Sequence, residues 1–70
     1  KLSFDRSMIE SGALVEDGNE LVVLVKPTDS WQRQKFTIAH EIGHLVGRVF
    51  QFRLPPNEER WCDVFASELL

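Results

Sequence analysis

The sequence has little that would suit a crosslinked scaffold, a membrane span or a polyanion partner. One cysteine, Cys62, stands among 70 residues, which excludes an internal disulfide framework and fits a reducing compartment, so a cytoplasmic address is expected. Glycine and proline number only 4 and 3, too few for a linker, a collagen-like repeat or a disordered tail. The longest apolar run is Leu21-Val22-Val23-Leu24-Val25, far short of the roughly 18 to 20 residues that cross a bilayer. Positive charge is also scarce. Lys and Arg number 8 against 11 Asp and Glu, a net charge of -3, so direct nucleic-acid binding is not expected.

What remains is a soluble composition, 43% hydrophobic and 27% charged, in a length that supports one small core over residues 1–70. An α+β fold is predicted, with a small antiparallel sheet of two or three strands followed by two helices. Ala13 to Glu16 and Glu20 to Lys26 are β-favouring runs, and Asp17-Gly18-Asn19 supplies the positive φ that a tight hairpin needs. The second run is apolar on both alternating faces, as in a strand covered on both sides. Leu2 and Phe4 suit a short third strand, and residues 5–11 suit either a link or a turn of helix stopped by Gly12.

Pro27 ends the strand run. Asp29 with Gln32 resembles a capping box, opening a helix that continues to about Gly47. Trp31, Ile38, Ile42, Leu45 and Val49 have the spacing of a buried stripe, while Arg33 and Lys35 read as a solvated face. Pro55-Pro56 excludes helix and forces Leu54 into extended geometry. A second helix is predicted after Asn57 as N-cap, with Glu58 and Glu59 in its first turn and Cys62, Phe65, Ala66 and Leu69 on one stripe.

The first of these helices contains His40-Glu41-Ile42-Gly43-His44. Histidines four residues apart lie about 40° apart around a helix and one turn apart along it, so both rings can converge on one ion. This is the HExxH arrangement, in which the two histidines bind zinc and the glutamate between them is a general base. From composition, chance alone yields it roughly one time in 370.

A catalytic zinc needs a third protein ligand, and the second helix offers Cys62, Glu58, Glu59, Asp63 and Glu68. A histidine six residues after His44 would mark another zinc class, but that position is Phe50. Glu59 and Asp63 lie one turn apart, which suits Glu59 as ligand and Asp63 as acceptor of the Nδ1 hydrogen of a ligating histidine, His40. By themselves, Glu58 and Glu59 are also what any helix N-terminus favours. Cys62 falls on the apolar stripe and reads as packing.

The segments Arg33-Gln34-Lys35-Phe36-Thr37-Ile38-Ala39-His40-Glu41-Ile42-Gly43-His44-Leu45 and Glu59-Arg60-Trp61-Cys62-Asp63-Val64-Phe65-Ala66-Ser67-Glu68-Leu69-Leu70 resemble the two signature blocks of the ImmA/IrrE family of zinc metallopeptidases. In that family the blocks read R-x-x-F-T-x-A-H-E-x-G-H and E-x-x-A-N/D-x-F-A-x-x-L-L. The resemblance implies a gluzincin-like site with His40, His44 and Glu59 holding Zn2+ and Glu41 as base. It also implies a protein substrate, typically a helix-turn-helix repressor, and so a part in transcription regulation. Cys62 replaces the family's usual alanine and Lys35 an Arg-like position. Members commonly continue past the point where Leu70 stands, so a core fragment of a longer peptidase is expected. With no tyrosine and both histidines assigned to the metal, the oxyanion donor is either absent, or an Arg or backbone group, or on chain beyond these residues. An inactive metal-binding interaction module is therefore the alternative.

Overall fold

The computed structural model describes residues 1–50 and 56–70. In chain order the elements are β1 (Leu2–Phe4), β2 (Gly12–Asp17), β3 (Glu20–Val25), α1 (Trp31–Val49) and α2 (Glu58–Leu69). This is the predicted α+β layout. The hairpin forms where Gly18 adopts φ 62°, leaving Asp17 opposite Glu20, a conformation that costs a residue without Cβ little.

The sheet is mixed, not antiparallel. Its order is β1-β3-β2, with β2 antiparallel and β1 parallel to the central β3. The reason lies in residues 5–11, which carry the chain from one edge of β3 to the other. They do so without a helix, through a turn in which the Ser7 amide and hydroxyl both donate to Asp5 Oδ1, at 2.9 and 2.6 Å. Val22 and Val23, adjacent and therefore on opposite faces of the strand, are both buried, so the central strand is covered on both sides as its composition predicts.

The start of α1 is one residue later than a cap at Asp29 would place it. Ser30 has extended geometry, and its hydroxyl accepts from the Arg33 amide at 3.1 Å, satisfying one of the free donors of the first turn. Asp29 instead belongs to the preceding turn, where the Gln34 side chain donates to the carbonyls of Pro27 and Asp29. The helix runs to Val49, two residues beyond the expected end.

The buried face of α1 differs from the predicted stripe. Trp31 and Val49 are 62% and 57% exposed, and Ile38, Ile42 and Leu45 are only half-buried. The residues that are buried are Thr37, Ala39, Glu41, Gly43 and Gly47. They are mostly small because α1 is approached closely from two directions, by the sheet and by α2. A Cβ on Gly12 of β2 would overlap Thr37 Cγ2 and stand 3.2 Å from the Leu24 carbonyl oxygen. A Cβ on Gly43 would stand 3.2 Å from Cys62 Sγ and 3.3 Å from Phe65 Cδ1.

In α2, Cys62 and Ala66 are fully buried while Leu69 is exposed. Asn57 occupies the N-cap position and its carbonyl accepts from the Trp61 amide, but its side chain makes no cap hydrogen bond. The expected extended geometry at Leu54 lies outside the described residues. Among the described residues, no helix is long and apolar enough to cross a membrane.

Candidate metal centre

His40 and His44 project from the middle of α1 one turn apart, and their ring centroids lie 5.1 Å from each other. Each side chain is 15% exposed, so the rings stand at the wall of the fold with their nitrogens reachable. The start of α2 meets them. His40 Nε2 lies 3.2 Å from Glu59 Oε1, and His44 Nε2 lies 2.8 Å from Glu59 Oε2. One carboxylate thus faces the same nitrogen of both rings.

The opposite ring nitrogens are held as well. His40 Nδ1 is 2.7 Å from Asp63 Oδ1, the pairing anticipated for Asp63. His44 Nδ1 is 2.6 Å from Glu58 Oε2, a contact not anticipated. The missed signal was helix direction. His40 meets Asp63 while His44, further along α1, meets Glu58, further back along α2, as helices running in opposite senses require. With a cation between Glu59 and the two Nε2 atoms, the carboxylates on both Nδ1 atoms would hold the tautomer that leaves Nε2 as a lone-pair donor.

Glu41, between the two histidines, is only 8% exposed and lines a cleft of about 390 Å³ together with Gly12, Arg33, His40, Glu59 and Asp63. Burial raises its pKa above the ordinary carboxylate value, partly countered by the nearby His44 and His40 and reinforced by Glu59. A folded state that holds the Glu41 proton to higher pH than the unfolded chain loses stability as pH rises from the ordinary glutamate range through the raised value. In metal-free protein, Glu41→Gln is therefore expected to melt higher than wild type at neutral pH, with the difference vanishing below about pH 4, where both states are protonated. Thermal melts of the two chelated proteins across that range measure it; a constant difference at every pH would contradict the assignment.

The donor set suits a divalent ion of borderline softness such as zinc. Two atoms each about 2.0–2.2 Å from one tetrahedral ion stand about 3.3 Å apart. The 3.2 Å gap between His40 Nε2 and Glu59 Oε1 already matches, and the 2.8 Å gap at His44 needs a small opening. Glu59 is free to give it, since its side chain is 75% exposed. Among the described residues, two groups of potential ligands cluster within 4.8 Å: His44 with Glu58 and Glu59, and His40 with His44 and Cys62. In the first, Glu58 is engaged with Nδ1 rather than with the nitrogen that faces Glu59, which makes it a support for the ring. In the second, burial and then the surrounding Glu58, Glu59, Glu41 and Asp63 push the Cys62 thiol up to about 11, so without a bound cation it stays protonated.

A geometry of this kind, two imidazoles on one helix facing a carboxylate on the next, can be set against known proteins. No curated protein and no solved structure matches the chain. The family model of the IrrE N-terminal-like domain does match, over residues 3–70. That span takes in the sheet, the helix bearing the histidines and the helix bearing the carboxylates, and the chain belongs to this family, Peptidase M78, which supports a metallopeptidase-type function.

Proposed function

We propose that the protein is a zinc-dependent peptidase that hydrolyses a peptide bond in a protein substrate, a helix-turn-helix repressor being the substrate implied by the family resemblance. The observation that carries the reading is the convergence of both Nε2 atoms on Glu59 at the edge of a cleft that also contains the buried Glu41. His40, His44 and Glu59 would hold the ion, which when bound supplies a Lewis acid for the scissile carbonyl and brings the pKa of water down to about 7.

The chain's own groups do the rest. Glu41 accepts a proton from the attacking water and returns it to the leaving amine, a double role favoured by a carboxyl whose pKa burial raises above the ordinary carboxylate value. Asp63 and Glu58 hold the Nδ1 hydrogens, which fixes ring orientation and makes Nε2 the better donor. Arg33, in the cleft wall, is the cationic donor that a peptide backbone entering the cleft would meet, while the Thr37 hydroxyl is buried beneath that wall without a hydrogen-bond partner among the described residues.

The test is metal stoichiometry. Purified wild type is expected to hold about one equivalent of zinc, and His40→Ala and Glu59→Ala are expected to lose it, as read by atomic absorption after gel filtration. Full zinc occupancy in His40→Ala would reject the site. Removing a support should cost less than removing a ligand: Asp63→Ala and Glu58→Ala are each expected to weaken zinc binding by about 10- to 100-fold, measured by competition with a chelating dye. Unchanged affinity in both would reduce these carboxylates to ordinary surface charges.

A metal-binding interaction module without catalysis is the second reading, favoured by the absence of tyrosine and of any third histidine to steady an oxyanion. It shares the zinc prediction and differs in the effect of changing Glu41.

A further inference from the structure

Cys62 stands where the family blocks carry alanine, and its surroundings in the fold are unlike those of an ordinary packing residue. It is fully buried, yet its sulfur and one ring nitrogen from each of His40 and His44 form a set of three donor atoms all within 4.8 Å of one another. Gly43, on α1 between the two histidines, makes this approach possible: a Cβ there would stand 3.2 Å from Cys62 Sγ. Cys62 does not line the cleft that contains Glu41 and Glu59. The thiol therefore reaches the imidazole pair from inside the fold, while Glu59 reaches it from the solvent side.

We propose that Cys62 Sγ is a further ligand of the ion held by His40 and His44, bound on its inner side, so that in the resting protein sulfur fills a coordination position that water would otherwise take. The inference rests on the zinc site proposed above and adds a ligand to it. The step is an exchange without oxidation: the S–H bond breaks, the proton leaves to solvent, and a metal–sulfur bond forms, a deprotonation that coordination itself drives. Thiolate beside two imidazoles favours zinc, or another thiophilic divalent ion, over magnesium or calcium. Since zinc with four protein ligands has the closed coordination of a structural site, cleavage starts from the form in which the sulfur has taken a proton back from solvent and withdrawn as a thiol.

Zinc-edge X-ray absorption on the zinc-loaded full chain tests this, because a sulfur neighbour lies at about 2.3 Å and nitrogen or oxygen neighbours at about 2.0–2.2 Å. Wild type is expected to show one sulfur neighbour; Cys62→Ala and the near-isosteric Cys62→Ser are expected to keep zinc and lose that neighbour. Replacing zinc with cobalt gives an independent optical readout: a thiolate-to-metal charge-transfer band in wild type, absent from both variants. A wild-type spectrum with nitrogen and oxygen neighbours alone overturns the proposal. Glu59→Ala separates it from the site on which it rests. Zinc retained there with its sulfur neighbour supports Cys62 as a ligand that holds the ion together with the two histidines. Zinc lost there, with no sulfur neighbour in wild type, overturns Cys62 and leaves Glu59 in place.

Discussion

Glu41→Gln is expected to lower peptide-bond cleavage by about 10²- to 10⁴-fold while zinc content stays at the wild-type level. The amide copies the shape of the carboxylate, and Glu41 is not the residue that faces the histidine Nε2 atoms, a position held by Glu59. What the substitution removes is a group able to take a proton at neutral pH. Glu41 lines the cleft next to His40 in the chain, and its burial shields a proton it accepts from exchange with bulk water. The measurement is turnover of a candidate repressor by wild type and variant, each with its zinc content determined. Equal cleavage by the two would sink the base assignment, and absence of cleavage by both towards every candidate would favour the interaction-module reading. A variant that also lost its zinc would show that Glu41 holds the site together, contrary to its position away from the converging nitrogens.

Gly12→Ala is expected to destabilise the fold by about 1–3 kcal/mol, the usual cost of overpacking a tight contact. The new methyl group would overlap Thr37 Cγ2 and press on the Leu24 carbonyl oxygen at 3.2 Å. Neither neighbour yields cheaply: Leu24 is in the central strand, paired on both sides, and Thr37 is buried within α1. The damage should reach the site, since Thr37 lies one helical turn before Glu41, whose Cγ is also within 3.7 Å of the added atom. Denaturant unfolding measures the loss. Thr37→Ser, which deletes the obstructing methyl, is expected to restore part of it in the double variant, since contacting residues couple. A Gly12→Ala protein that unfolds at the wild-type midpoint would mean that the sheet and α1 stand further apart than described.

The elements themselves were legible from local chemistry. Gly18 announced the hairpin, and the histidine spacing put two rings on one side of α1, because helical geometry is a property of a few neighbouring residues. The direction of β1 was not legible, since it depends on the path of residues 5–11 across β3, and no short-range pattern encodes that path. Trp31, Ile38, Ile42, Leu45 and Val49 misled for a related reason. Their periodicity marks an apolar face, but two close neighbours claim the face rich in glycine instead, where Gly43 lets α2 approach. At the candidate site, Glu59 and Asp63 were singled out from their one-turn spacing and come together with the histidines. Glu58 is one of several candidate ligands in the sequence and, like Glu59, has an ordinary explanation as an acid in the first turn of a helix; only the opposed direction of the two helices gives it His44 as a partner.

The contact between α1 and α2 carries a cost that the site itself must offset. Its wholly buried side chains on α2 are only Cys62 and Ala66, both small, so the apolar surface removed from water is modest. Around it stand Glu41, Glu58, Glu59 and Asp63, carboxylates whose mutual repulsion two imidazoles only partly relieve. On the zinc reading, the cation is thus a clasp between two helices as well as a reagent, and its binding energy is shared with folding. A chelator added to this protein would unfasten the second helix along with the chemistry, so inhibition by chelation cannot by itself separate a catalytic ion from a structural one.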